Sequence, residues 1–185
     1  MNKILLSTLT LFSVSTLAKI PDGLTITPIV GFEKVQRVLP TPTMKTRTVF
    51  GARALYRLPI TSLEAEYTHG DDTSTDVATS TTYKFVDDKL RVGIRGDFDM
   101  ASFLSWNLSG GMQMKQTKTT RTVSGTSSTS STSTTTDPYV GTGLSLHILN
   151  AFSLNADVTA VYTPTDDPAL DDYEIRPTLG FSIRI

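Results

Sequence analysis

Apolar and polar residues alternate one for one along most of the chain. The last stretch shows it best. Tyr173, Ile175, Leu179, Phe181, Ile183 and Ile185 share one parity; Glu174, Arg176, Thr178, Gly180, Ser182 and Arg184 share the other. Successive side chains of a strand point to opposite faces, so this is a strand with one apolar and one polar face. Seven earlier segments repeat the pattern: about Leu24 to Val38, Lys45 to Leu58, Ser62 to His69, Thr82 to Phe98, Ser102 to Lys115, Tyr139 to Leu149 and Phe152 to Thr163. Asp87 and Asp88 break the alternation of the fourth segment and predict a bulge or a kink there. Pro28 and Pro177 lie within the first and last segments and lack a ladder donor, which predicts a weakened, bulged seam where those two meet. No stretch carries a helical period, and no long repeat is visible.

The connections have a rhythm of their own. Short turns follow the second, fourth and sixth segments. Longer polar stretches follow the third, fifth and seventh, and a compact Pro-rich one follows the first. The longest runs from Gln116 to Asp137, and Ser124 to Thr136 is almost wholly Ser and Thr. A stretch with so little to bury predicts a mobile loop over about 116–137. An even count of antiparallel strands with this alternation of connections describes an up-and-down barrel with both ends on one side.

Alternation alone leaves two barrels open: a soluble lipocalin-like one with an apolar cavity, and a membrane one with an apolar exterior. Three features favour the second. Tyr56, Tyr67, Trp106, Tyr139, Phe152, Tyr162 and Tyr173 sit near strand ends, as two aromatic girdles flanking an aliphatic band. Arginines occupy mid-strand polar positions, while Lys19, Lys45, Lys84, Lys115 and Lys118 lie at strand ends or in connections. Arg pairs with carboxylates in two-pronged fashion and is less strongly hydrated, so it suits an enclosed polar interior. Aspartates gather in the longer connections, as suits a solvated outer rim.

On these residues the chain resembles the small eight-stranded OmpA/OmpX type of bacterial outer-membrane barrel. Ile185 stands where that family usually ends in Phe. The resemblance implies an all-β, eight-stranded antiparallel up-and-down transmembrane barrel. It implies outer-membrane lipids and lipopolysaccharide as surroundings, a C-terminal strand read by the barrel-insertion machinery, and a monomer. Residues 1–18 fit a cleaved signal peptide, with Lys3, the mostly apolar Ile4 to Leu17 and the small-x-small site Thr16-Leu17-Ala18. The barrel would occupy 19–185.

The chain has 185 residues, a net charge of −1 and no cysteine. Disulfides, a lipoprotein anchor and thiolate metal sites are thereby excluded, and nothing suggests a nucleic-acid footprint. The chemistry-bearing residues are mostly interior by parity. Glu33, Arg53, Glu64, Glu66, Arg91, Arg95, Asp157, Glu174 and Arg176 predict a structural network of ion pairs, since an eight-stranded lumen is about filled by its own side chains. The alternative is a narrow ion path along the same charges. A lipid-modifying enzyme would need His69 at the outer rim, with Asp71 and Ser74 near it; His147 lies at the other end, and no His-x-Ser motif occurs. The aspartates at 166, 167, 171 and 172 lack an EF-hand spacing and read as solvated charge. The expectation is a non-enzymatic barrel without cofactor, in a structural or surface-interaction role.

Overall fold

The computed structural model describes residues 23–37, 43–149, 151–164 and 172–184. The predicted signal segment, Ile185 and most of the Asp-rich connection before the last strand lie outside them. The strands are β1 (Leu24–Arg37), β2 (Thr43–Arg57), β3 (Ser62–Asp76), β4 (Thr81–Ala101), β5 (Leu104–Val123), β6 (Thr126–Ser131), β7 (Thr135–Leu149), β8 (Phe152–Tyr162) and β9 (Tyr173–Arg184). Neighbours pair antiparallel in the order β4-β3-β2-β1-β9-β8-β7-β5-β6, and a β4–β5 pairing closes the ring. β6 runs beside β5 directly above β7, so the closed ring is an eight-stranded up-and-down barrel.

The alternation settles inside from outside. Along β1 every second residue from Thr27 to Arg37 is buried, and those between are mostly exposed. Outward positions carry Val30, Phe50, Leu90, Ile94, Leu144, Ile175 and Leu179, all exposed. The inner face carries Glu33, Arg53, Glu66, Arg91, Gln113 and Arg176, all buried. Such an exterior is stable only where hydrocarbon replaces water. Aromatics band it at two levels. Tyr67 and the Tyr162–Tyr173 pair lie toward the long connections; Tyr56, the Phe98–Trp106 stack and the Phe152–Phe181 stack lie toward the short turns.

Four expectations change. The Ser/Thr-rich stretch over 116–137 forms strands instead of a loop. β5 continues to Val123, turns through Ser124 and Gly125, and returns as β6. Both turn residues have positive φ, 47° and 85°, as a two-residue hairpin turn requires. Thr is a good strand former, and cross-strand hydroxyl pairs support the hairpin: Thr120 with Thr129 at 3.0 Å and Thr122 with Ser127 at 2.9 Å. Between β6 and β7 the register against β5 slips by one residue, a bulge at 132–134. Asp87 and Asp88 cause no bulge, because β4 keeps one register with β5 from Thr81 to Asp99. Asp87 points inward and Asp88 outward, so the strand simply changes what it buries. Tyr139 belongs to the inner face, where it is 3 % exposed, and so leaves the outer girdle.

The connection between β3 and β4 is largely sheet as well. Asp71–Asp76 of β3 pairs with Thr81–Val86 of β4, which pairs with Lys118–Val123 of β5, which pairs with β6. These four strands rise past the outer aromatic level as a continuous wall. At the tip between β3 and β4, the Asp76 carboxylate accepts from the Thr79 hydroxyl at 2.7 Å and the Ala78 amide at 3.0 Å, which holds its pKa below the ordinary value.

The closing seam keeps one register and has no bulge. Thr25 and Ile26 face Arg184 and Ile183, and Ile29, Val30 and Gly31 face Gly180, Leu179 and Thr178. The ladder skips Pro28 and stops at the level of Pro177, as missing N–H donors dictate. Backbone amides on the β1–β9 seam should exchange with solvent about tenfold faster than those between β4 and β5 in the folded protein. Hydrogen exchange followed by mass spectrometry measures this; equal protection would show that the prolines cost the seam nothing.

Candidate functional site: the charged lumen

The lumen is filled from the outer end downward by two ion-pair networks. The outer one starts at the rim. Arg37 pairs with Asp72 at 2.5 Å and with Asp87 at 3.0 Å, and Arg47 pairs with Asp87 at 2.5 Å and with Glu33 at 2.8 Å. Glu33 also binds Lys89, which reaches Glu174 at 2.6 Å; Lys115 takes the other Glu174 oxygen at 2.6 Å. Phe85 lies beneath the Arg37 guanidinium at 4.6 Å.

The inner network is centred on Glu66. Its carboxylate pairs with Arg53 and Arg176, each at 2.8 Å, and with Arg91. Arg53 also reaches Asp157 at 2.6 Å, and Asp157 holds Arg95 at 3.5 Å and accepts from the Asn107 amide at 3.1 Å. Tyr139 donates its hydroxyl to Glu64 at 3.0 Å, and the Arg91 guanidinium covers its ring at 5.0 Å. Gly93 makes room for that ring: a side-chain carbon there would strike the Tyr139 hydroxyl and the Gly110 carbonyl.

Below Arg95 the filling stops. A cavity of about 770 Å³ opens toward the short turns. Its wall is a belt of hydrogen bonds from Arg95 to Ser145, Ser145 to Asn155, Asn155 to Ser182, and Ser182 to Thr27. His147 bridges Ser105 and Ser153 at 2.8 Å each.

Every residue named for the interior from sequence is buried and ion-paired, but the nine fall into two networks. Glu33 and Glu174 belong to the outer one, and Arg53, Glu64, Glu66, Arg91, Arg95, Asp157 and Arg176 to the inner one. Sequence reasoning missed Arg37, Arg47, Asp72, Asp87, Lys89 and Lys115. Asp72 and Asp87 seemed to belong to a loop and to a bulge. Lys115 counts among the strand-end lysines by residue type, although it shares the parity of Gln113, and Lys89 shares that of Arg91, which is signal enough. Tyr139 has the parity of Gly141 and Gly143 and was legible in the same way.

The enzymatic alternative loses its geometry. His69 is half-exposed on the outer face and meets Asp88 at 2.9 Å, to which the Tyr67 hydroxyl also donates at 2.5 Å. Ser74, the hydroxyl invoked for it, is buried on the opposite face. Among the described residues no group of His, Asp and Glu is arranged to hold a metal ion.

Glu66 is the carboxylate shared by three guanidiniums, and removing it leaves them uncompensated. The change Glu66→Ala should lower unfolding stability by about 3–5 kcal/mol. Lys84→Ala, at the exposed 3.3 Å pair with Asp71, should cost about 1 kcal/mol or less. Denaturant titrations of the refolded barrel in detergent measure both.

Comparison with known proteins matches this architecture. The sequence profile of an outer membrane protein β-barrel domain matches residues 4–182. Among curated protein sequences none matches significantly. Solved structures are similar at low identity. Neisserial surface protein A is 16 % identical over 89 % of this chain and 98 % of its own, with a TM-score of 0.63. Ail, the attachment invasion locus protein of Yersinia pestis, is 14 % identical over 89 % of this chain and 100 % of its own, at 0.57. The N-terminal β-barrel domain of Pseudomonas aeruginosa OprF is 16 % identical over 88 % and 97 %, at 0.54. With its apolar exterior and charged interior, the chain belongs to the outer-membrane protein β-barrel family and resides in the outer membrane.

Proposed function

We propose that the protein is a non-enzymatic surface-interaction barrel, anchored by its ring of strands and working through the wall that β3 to β6 raise above the membrane. The observation that carries this reading is the wall itself. It is ordered sheet, continuous with the barrel, and β6 is exposed on both faces. A rigid platform costs a binding partner less ordering than a floppy loop does.

Outward Lys34, Lys84 and Lys118 stand at or above the outer interface, where phosphates of lipopolysaccharide would meet them. The outward apolar row of β9, Leu179, Phe181 and Ile183, is the surface offered to the insertion machinery. The closed ring of eight strands offers no strand edge within the membrane to a second copy, which supports a monomeric barrel there.

A narrow pore is the second reading, and the cavity below Arg95 favours it. In addition, Arg91, Gln113 and Arg176 each hold side-chain nitrogens without a protein partner among the described residues, and such groups suit bound water. The paired charges between these two regions block the path. Planar-bilayer recordings should therefore show no steady conductance in the wild type. A steady open channel that is lost or altered on changing Arg53 or Glu64 would establish the pore instead.

Shortening the hairpin, by joining Lys118 to Ser131 through Asn-Gly, leaves the barrel ring intact. Cells displaying the full chain should be retained on immobilised glycoprotein and glycan surfaces, and cells with the shortened hairpin should not. Equal retention would overturn the surface-interaction reading.

A further inference from the structure

The ring abolishes strand edges in the barrel, but the wall brings one back. Among the described residues β6 pairs only with β5. The ladder with β8 begins lower, at Tyr139 opposite Val161. The turn closes on the Val123–Thr126 pair, and the Thr132 amide donates to the Thr117 carbonyl at 2.9 Å. Antiparallel bonds alternate, so Thr126, Ser128 and Ser130 turn their backbone groups toward β5. Ser127, Thr129 and Ser131 turn theirs away from it.

Exposed edges in soluble sheets are guarded by Lys, Pro or bulges. The rim of β1 has Lys34, and the lower part of the β7 edge has Asp137 and Pro138. From Ser124 to Thr136 there is no charge and no proline, and the bulge at 132–134 lies outside Thr126–Ser131, which keep one register with β5. An unguarded edge accepts another strand.

Resting on the surface-interaction reading, we propose that this edge pairs with the same edge of a second copy of the chain, antiparallel and centred on Thr129. The edge itself selects the occupant. Identical uncharged edges do not repel, and an edge of Ser and Thr offers a charged or strongly apolar strand no complement. Outward-bonding residues must face outward-bonding residues, so Thr129 meets Thr129 of the second copy, and Ser127 meets its Ser131. Thr and Ser facing each other form the same cross-strand hydroxyl pairs that already join β5 to β6.

Symmetry then fixes where the second copy stands. An antiparallel pair has its two-fold axis across the strands. The two barrels therefore point in opposite directions and sit in two facing membranes. Neighbours in one membrane share a direction and do not pair this way. The contact is a homotypic bridge between two cell surfaces.

The chain has no cysteine, which makes cross-linking unambiguous. Hydrogen-bonded antiparallel partners have Cα atoms about 5.5 Å apart, within disulfide reach. In detergent under mild copper-phenanthroline oxidation, Thr129→Cys should form covalent dimers. Ser127→Cys should do so only when mixed with Ser131→Cys. Thr120→Cys, inside the sheet, reports random collision. In the second arm, two dyed vesicle populations should associate only when both carry the protein. Thr129→Pro removes an outward N–H that β5 does not use, so the barrel keeps its heat-modifiable gel migration. Its tethering should fall about tenfold, as expected for loss of the central bonded pair. Cross-linking no better than at Thr120, tethering by protein on one population alone, or tethering indifferent to Thr129→Pro would each overturn the bridge. Hairpin-dependent retention on coated surfaces with no cross-linking at Thr129 would leave the general reading standing and sink only this one.

Discussion

The structure depends on one constraint: every charge placed inside an eight-stranded ring must find a counter-charge there. The lumen is too narrow to hydrate a row of guanidiniums, and an unpaired ion in that setting costs several kcal/mol. Glu66 shows the solution at its most concentrated, with one carboxylate serving Arg53, Arg91 and Arg176. These four residues come from β3, β2, β4 and β9, so the pairing also pins the register of strands that close the barrel. Hydrophobic burial does less of this work, since most large apolar residues face outward to lipid and the buried ones, Ile29, Val35, Val49, Phe85, Tyr139 and Val161 among the described residues, are few. The polar core supplies the specificity that an apolar core supplies in a soluble domain.

The same constraint explains why the lumen is uneven. The ion-pair networks fill it down to Arg95; below, Ser105, Ser145, His147, Ser153, Asn155 and Ser182 line the cavity, with Arg57, Asp97, Asp99 and Arg184 also on its wall. Neutral hydroxyls satisfy one another in a belt without needing counter-ions, and they leave space that water can share. Paired charge therefore fills the end toward the long connections, and the cavity lies toward the short turns.

How much of this was legible from the amino-acid sequence follows from parity. A period of two assigns each strand residue to a face with no knowledge of its partners, so eight strands, the outward band and the nine interior charges could all be named. Parity fails where the strand itself goes unrecognised. Asp72 and Asp87 were set aside because an acidic, polar stretch resembles a loop, although a strand rising into water has no apolar face to show. The Ser/Thr segment misled for the same reason: low hydrophobicity is read as disorder, while pairing with β5 requires only backbone groups, Thr side chains and a Ser124-Gly125 turn. Tyr139 and Lys115 are misplaced when residue type is weighed over position. An aromatic near a strand end suggested a girdle, and a lysine suggested a rim, yet both share the parity of their buried neighbours.

The wall above the membrane follows from the barrel beneath it. Strands in a closed ring are already aligned and twisted, so extending β3, β4 and β5 past the bilayer costs little beyond ordering the added residues. Extension stops being uniform where β8 and β9 end, at Tyr162 and Tyr173. Among the described residues the ring is open above that level, and the sheet regains the edges that closure had removed. In this chain the β6 edge carries neither charge nor proline. Since edge pairing is a backbone property, the composition of that edge decides whether it is avoided or used. Lys, Asp or Pro would have closed it to partners; Ser and Thr leave it open.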